Sequence, residues 1–196
     1  MSSHPFFALI SRMSNIARWS LMRNSRVENV QEHSHMVAVL AHALAVIRRD
    51  VFGGAIDPGA VAAAALYHDA PEILTGDLPT PVKYFNPEIQ AAYRAVEEIS
   101  ATRLLAMLPE ELQASYRPLL VEGEQSTAVH ALVKAADKLA AYIKCVEELK
   151  AGNSEFRTAA AQTLRILEDN PLPEVAYFLE HFSQSFSLTL DDLHTL

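Results

Sequence analysis

Two imidazoles and two carboxylates stand at separated points of the 196-residue chain: His33, the adjacent pair His68-Asp69, and Asp137. Neutral histidine nitrogen and carboxylate oxygen together suit a borderline divalent ion such as Mn, Co, Ni, Fe or Zn better than a soft, thiolate-loving one. A catalytic metal needs open positions for water and substrate beside its protein ligands. Glu72 lies four residues after His68 and three after Asp69, a spacing that shares one face wherever a helix persists. Asp137 interrupts the small and apolar run Ala135-Ala136-Asp137-Lys138-Leu139-Ala140. A carboxylate buried there needs a compensating partner, and a cation would supply it. The His-Asp dipeptide is a weak signal alone; its weight comes from His33, His68-Asp69 and Asp137 falling on three separate predicted helices.

Those helices follow from apolar spacing and from end signals. Phe6, Leu9, Ile10 and Met13 predict a first amphipathic helix, and 20–28 breaks the pattern as an Arg-rich loop. Asn29, with Glu32 three residues on, caps a long helix whose apolar face is Val37, Leu40, Ala41, Leu44 and Ile47, so His33 sits in its first turns. Asp57-Pro58 opens an Ala-rich helix towards His68-Asp69, and its alanines predict close helix approach. Pro71 ends or kinks that helix, and the proline-dense stretch 75–81 is predicted to be a non-helical loop. Further helices are expected over 87–108, after Pro109, over 127–150, over 154–167 and over 173–182, with a less periodic tail. No alternating strand pattern is present, so the fold class is all-α, in one packed domain spanning 1–196.

Composition excludes several functions. A net charge of −8, from 24 acidic and 16 basic residues, would repel a phosphate backbone, so no nucleic-acid polymer is expected as partner. The stretch 33–47 lacks Asp, Glu, Lys and Arg but falls short of the roughly 20 residues a spanning helix needs, so no membrane partner is expected. Met1-Ser2-Ser3-His4-Pro5 shows no leader pattern, and the single Cys145 in a half-apolar helix implies packing in a reducing compartment; the cytoplasm is the expected location. Taken one at a time, His33 reads as a helix-start histidine and Trp19 as an apolar anchor. His35, His42, His130 and His181 are not candidate ligands. Arg23 and Arg26 read as surface charges or as partners of Glu28 or Glu32, and Glu97-Glu98, Glu110-Glu111 and Glu147-Glu148 as solvated helix faces.

The scattered set of histidine, His-Asp pair and aspartate resembles the HD-domain superfamily of metal-dependent phosphohydrolases. A narrower resemblance, to bacterial HD-domain 5′-deoxynucleotidases, rests on Arg18-Trp19, on Arg26 to Ser34, on Tyr67-His68-Asp69-Ala70 with Glu72, on Lys134 to Asp137, and above all on Leu74-Thr75-Gly76-Asp77-Leu78-Pro79-Thr80-Pro81-Val82-Lys83-Tyr84-Phe85-Asn86. It runs along nearly the whole chain. The resemblance implies an HD-domain helical bundle and hydrolysis of deoxyribonucleoside 5′-monophosphates, with one divalent ion (Co, Mn or similar) held by His33, His68, Asp69 and Asp137. It further implies Glu72 as acid/base group, Arg18 on the phosphate, contacts to the sugar from Trp19, Asp77, Leu78, Pro79 and Thr80, and a homodimer. Asp69 enters both as ligand and at the substrate.

Two other classes remain open at this stage. One is a different HD phosphohydrolase, acting on a cyclic nucleotide, a nucleoside triphosphate or an alarmone; a longer phosphate chain would call for more basic side chains around the metal. The other is a non-enzymatic helical binding module with a closed metal centre.

Overall fold

The computed structural model describes residues 3–195, which leaves Met1 and Ser2, part of the stretch read for a leader, outside the described residues. Eleven helices account for the regular structure there: α1 (Phe6–Ile10), α2 (Val30–Asp50), α3 (Pro58–Tyr67), α4 (Glu72–Thr75), α5 (Thr80–Lys83), α6 (Pro87–Leu105), α7 (Glu110–Leu120), α8 (Thr127–Lys150), α9 (Arg157–Glu168), α10 (Pro173–Phe182) and α11 (Leu190–His194). Among the described residues the extended pairing is one isolated antiparallel bridge, Ala17 with Asn29. No helix there is long and apolar enough to cross a membrane.

Local chemistry explains the long elements. Asn29, Asp57, Asn86 and Ser126 each accept a backbone N–H of the first turn that follows, at 2.7–3.3 Å, satisfying donors that a helix start leaves orphaned. The helices pack around α2. Its Val37, Ala41 and Leu44 meet Val61 and Ala65 of α3 and Leu132, Ala136 and Leu139 of α8, all fully or nearly fully buried. Alanine at so many facing positions lets the backbones of α2, α3 and α8 approach closely, which brings together the segments that carry His33, His68-Asp69 and Asp137. A second cluster, Phe6, Ala70, Leu104, Leu105 and Leu108, packs α1 and α6 beneath the His68-Asp69 turn.

Four expectations need correction. The first helix stops at Ile10 and continues as a 3₁₀ turn over Ser11–Asn15, because the hydroxyls of Ser11 and Ser14 bond the carbonyls of Ala8 and Ser11 in competition with the regular ladder. His68 and Asp69 lie beyond α3, and Glu72 opens the separate turn α4, so the shared helical face is replaced by a turn in which Glu72 N–H donates to the Asp69 carbonyl at 3.0 Å. The 75–81 stretch is not wholly loop: Pro81 sits in the first turn of α5, where no N–H is required. Glu148 is 1% exposed rather than solvated, because it carries a set of hydrogen bonds described below. In the tail, Thr189 and Asp192 form a capping box that opens α11.

Candidate metal and phosphate site

His33 is fully buried one turn into α2, its N–H bonded to the Asn29 carbonyl at 3.1 Å. Its Nε2 lies 3.1 Å from Asp137 Oδ1 on α8 and 3.6 Å from Asp69 Oδ2. His68 Nδ1 is 2.7 Å from the Ala65 carbonyl, an acceptor, so Nδ1 carries the proton and donates it. The lone pair of Nε2 is thereby turned to Asp69 Oδ2 at 3.2 Å, and Nε2 has no hydrogen-bond partner. A bare lone pair facing a carboxylate is repulsive unless a proton or a metal cation lies between them. Ligand atoms of His33, His68 and Asp69 all fall within 4.8 Å of one another, and the 3.6 Å and 3.2 Å from Asp69 Oδ2 to the two imidazole nitrogens suit donors each about 2.0–2.2 Å from a common ion. Asp137 joins through His33 and turns Oδ2 to Lys138 at 3.1 Å. The donor set and the orphaned Nε2 therefore fit a divalent ion.

The surrounding charges are strongly displaced. Burial raises the carboxyl pKa of Asp69, but His68 and His33 outweigh it and hold the group below the usual carboxylate range. Asp137 is likewise held low, by the hydrogen bond from His33 and by Lys138 against the cost of burial. Burial and Arg18 push His33 down, so its imidazole stays neutral, while at His68 burial is outweighed by Asp69 and Asp137 and the pKa rises. Glu72 goes the other way. Burial, then Asp69 and Asp77, push its carboxyl up to about 10, and its Oε2 has no partner. Asp77 is raised by burial and by Asp69, against Arg18. For Arg18, burial is outweighed by Asp69, Glu28, Asp137 and Asp77, and its pKa rises further.

Arg18, Glu72 and Asp77 thus share one electrostatic neighbourhood with the metal-ligand group. Trp19 does not stand free beside it: its ring packs on Phe156 at 5.3 Å, and its indole N–H points to Glu28 at 3.3 Å. Its φ of +57° is a left-handed conformation costly for a bulky residue. Leu78 and Pro79 are half-buried in the approach to α5, and Thr80, its first residue, is exposed. Gly76, with φ +73°, supplies the turn between α4 and Asp77. A cavity of about 680 Å³ carries His68, Asp69 and Asp137 in its wall, with Lys83, Tyr84 and Arg94 also lining it.

Sequence reasoning missed the partners of these residues. Glu28 pairs with Arg18 at 2.7 Å, whereas Arg26 meets Glu32, one of its two expected partners, in an exposed pair at 3.3 Å. Lys83 bonds Glu97 at 2.9 Å and lies over the Tyr93 ring, so Glu97 is not simply solvated. The antiparallel closure of the 17–29 loop would have pointed to Glu28, but a single isolated bridge leaves no strand pattern to read.

A sequence profile described as 5′-deoxynucleotidase YfbR-like matches residues 5–186. A 5′-deoxynucleotidase of Erwinia tasmaniensis is 53% identical over 188 residues, which cover 96% of this chain and 95% of that protein. Among solved structures, an HD-domain phosphohydrolase of Listeria innocua matches with a TM-score of 0.81 and 28% identity, over 93% of this chain and 88% of that one. A cyanophage S-2L HD phosphohydrolase bound to dA and one catalytic Zn²⁺ ion matches in fold, with a TM-score of 0.61 and 24% identity over 93% of this chain and 96% of that one. The all-α expectation is met as an HD-domain helical fold, and the chain belongs to the 5′-deoxynucleotidase YfbR-like family.

Proposed function

We propose that the protein is a metal-dependent phosphomonoesterase that hydrolyses deoxyribonucleoside 5′-monophosphates to deoxynucleoside and phosphate. The observation that carries this reading is the convergence of His33, His68 and Asp69 on one point, with Asp137 in contact, in a member of a family named for that activity. His33, His68, Asp69 and Asp137 would hold one divalent ion, with Co, Mn or a similar metal suiting the donors. Such an ion lowers the pKa of bound water and neutralises phosphoryl oxygens. Arg18 grips the phosphate through its planar fork of donors, anchored from behind by Glu28. Glu72 holds a proton at neutral pH and is the acid/base group: as the P–O5′ bond breaks, that proton goes to the departing 5′ oxygen. Asp69 and Asp77, with the segment Leu78, Pro79 and Thr80, meet the substrate, and Trp19 excludes the ribose 2′-hydroxyl.

Of the basic side chains that line the cavity, Lys83 and Lys138 are paired with Glu97 and Asp137, while Arg94 and Lys134 also stand in its wall. We further assign a single domain, a cytoplasmic location and a homodimer. The deciding experiment measures phosphate release from deoxy- and ribonucleoside 5′-monophosphates, a triphosphate and a cyclic dinucleotide, after chelation and again with Co, Mn, Mg or Zn restored, with Asp137→Ala as control. Metal-restored activity confined to deoxynucleoside 5′-monophosphates is expected. Hydrolysis of the triphosphate or cyclic substrate overturns the substrate assignment, and silence throughout favours a binding module.

A further inference from the structure

The loop that carries Arg18 is fastened at both ends. At its neck Arg18 N–H donates to the Glu28 carbonyl at 2.9 Å and Val30 N–H to the Ile16 carbonyl at 3.0 Å, closing the Ala17–Asn29 bridge. At its far end, 23–26, the side chains of Arg23, Ser25 and Arg26 are exposed and have no core of their own. Their backbone is captured instead by side chains at and just beyond the C-terminal end of α8. Ser25 N–H donates to Glu148 at 2.9 Å and Arg26 N–H at 3.4 Å, Lys144 Nζ donates to the Arg26 carbonyl at 2.6 Å, and Asn153 Nδ2 donates to the Arg23 carbonyl at 2.7 Å. The three side chains are themselves joined. Lys144 contacts Glu148 Oε1, and Asn153 Nδ2 lies 2.8 Å from Glu148 Oε2. Both Lys144 and Glu148 are buried, at 6% and 1% exposure.

A buried ion pair adds little stability over an apolar pair of similar volume; its recognised use is to specify one conformation. Here that conformation is unfavourable by itself, since Trp19 at φ +57° must be held by its surroundings. Its carbonyl accepts from Met22 N–H at 2.9 Å and from Asn24 Nδ2 at 3.3 Å, so the Trp19 turn and the captured 23–26 segment are one continuous unit. The same helix α8 carries Asp137, about 16 Å up the rod from Glu148 at 1.5 Å per residue. One rigid element therefore positions both a metal ligand and the loop that bears the phosphate-gripping arginine.

We propose that Glu148, with Lys144 and Asn153, is the positioning device that fixes the 18–28 loop and thereby aims Arg18 at the substrate phosphate. The proposal rests on the assignment of Arg18 to phosphate made above. Its test compares Glu148→Gln and Asn153→Ala with the unaltered holoenzyme by amide hydrogen exchange, metal affinity, and kcat and KM on a deoxynucleoside 5′-monophosphate. Asn153→Ala leaves the buried ion pair in place, so it reports even if Glu148→Gln fails to fold. Exchange is expected to speed up within 18–28 and not in α2 or α3, KM to rise about tenfold, and metal affinity to hold within about twofold. In an Arg18→Ala background the same substitutions should change KM by about twofold or less, since residues that act through one group are not additive. Unchanged exchange in 18–28, an unchanged KM, or an undiminished effect in the Arg18→Ala background overturns the proposal. An Arg18→Ala protein that itself keeps a normal KM counts against the phosphate assignment instead, and the exchange data then decide the loop anchoring alone.

Discussion

Glu72 lies three residues from Asp69, yet the surroundings of Glu72 and those of Asp69 and Asp137 drive protonation in opposite directions. Asp69 and Asp137 face imidazoles and stay ionised, whereas Glu72 faces Asp69 and Asp77 with one oxygen unpartnered and keeps its proton. Separating two carboxyl environments in this way is how one site runs ligand and acid/base chemistry together. Glu72→Gln keeps the shape and the neutral charge but cannot transfer a proton. It should lower kcat by about 10²–10⁴-fold while metal affinity is retained, which steady-state kinetics and metal titration will check. Because the raised pKa means that ionising Glu72 is unfavourable in the fold, the same variant should melt at or above the temperature of the unaltered metal-free protein near pH 8. Trp19→Ala is expected to raise the ribo-to-deoxyribo rate ratio; discrimination against one added hydroxyl by an apolar wall is worth about 10²-fold, which sets the ceiling of the change. An unaltered ratio would assign Trp19 wholly to its packing on Phe156.

Both candidate histidine ligands depend on the end of an element. His33 is placed by Asn29, which caps α2 through Glu32 N–H at 3.0 Å, closes the bridge to Ala17 and accepts the His33 N–H on its own carbonyl. Asn29→Ala should cost about 1 kcal/mol, a drop in Tm of about 2–4 °C for a chain of this size. It should also weaken metal binding, whereas an equal loss of cap at Ser126, which lies eleven residues before Asp137, should lower Tm alone. His68 is placed by the termination of α3, where the Ala65 carbonyl, which also accepts the His68 backbone N–H at 3.4 Å, receives Nδ1–H and so leaves Nε2 turned towards Asp69. The His33 and Asp69 contacts with helix ends were partly legible in advance, because caps and prolines announce themselves locally. That α3 ends before His68 was not, since a proline at 71 marks a break without saying on which side the chain leaves the helix.

Across the molecule, proton binding links the site to stability. Glu148 is held below its ordinary pKa: burial opposes ionisation, but Lys144, Asn153 and the Ser25 N–H outweigh it. Its contribution is fully present above about pH 4.5 and is lost as pH falls through the lower folded value. The Tm difference between the unaltered protein and Glu148→Gln should therefore narrow between about pH 6 and about pH 3.5, read by thermal melts across that range. Glu72 has the opposite sign, with its contribution complete below about pH 4.5 and declining as pH rises towards about 10. Metal retention adds a third dependence. The raised pKa of His68 means that protons compete for Nε2 already above its ordinary value, so metal affinity should fall as pH drops through neutrality, by about tenfold per unit once the imidazole is protonated. Loading the metal at about 100 times its Kd should stabilise the fold by about 2.7 kcal/mol, and chelation should reverse it, a shift that calorimetry will read directly. Cys145, buried and pushed up to about 11, will remain unmodified by alkylating reagents in the native state.

The amino-acid sequence by itself determined what is local or a matter of residue type. Caps at Asn29 and Asp57 and the 3.6-residue apolar period placed the long helices. The chemistry of imidazole and carboxylate marked His33, His68, Asp69 and Asp137 as a donor set before any distance was known. Only the tertiary structure decided what depends on which face meets which. Asp137 reaches His33 across 104 residues of chain because small side chains let α2 and α8 approach. Glu148 is buried and Glu147 exposed although they are neighbours of identical type, because α8 turns one of them under the 23–26 loop. Helical periodicity fixes the direction of a side chain about its own axis, and it carries no information on the loop that will lie across it.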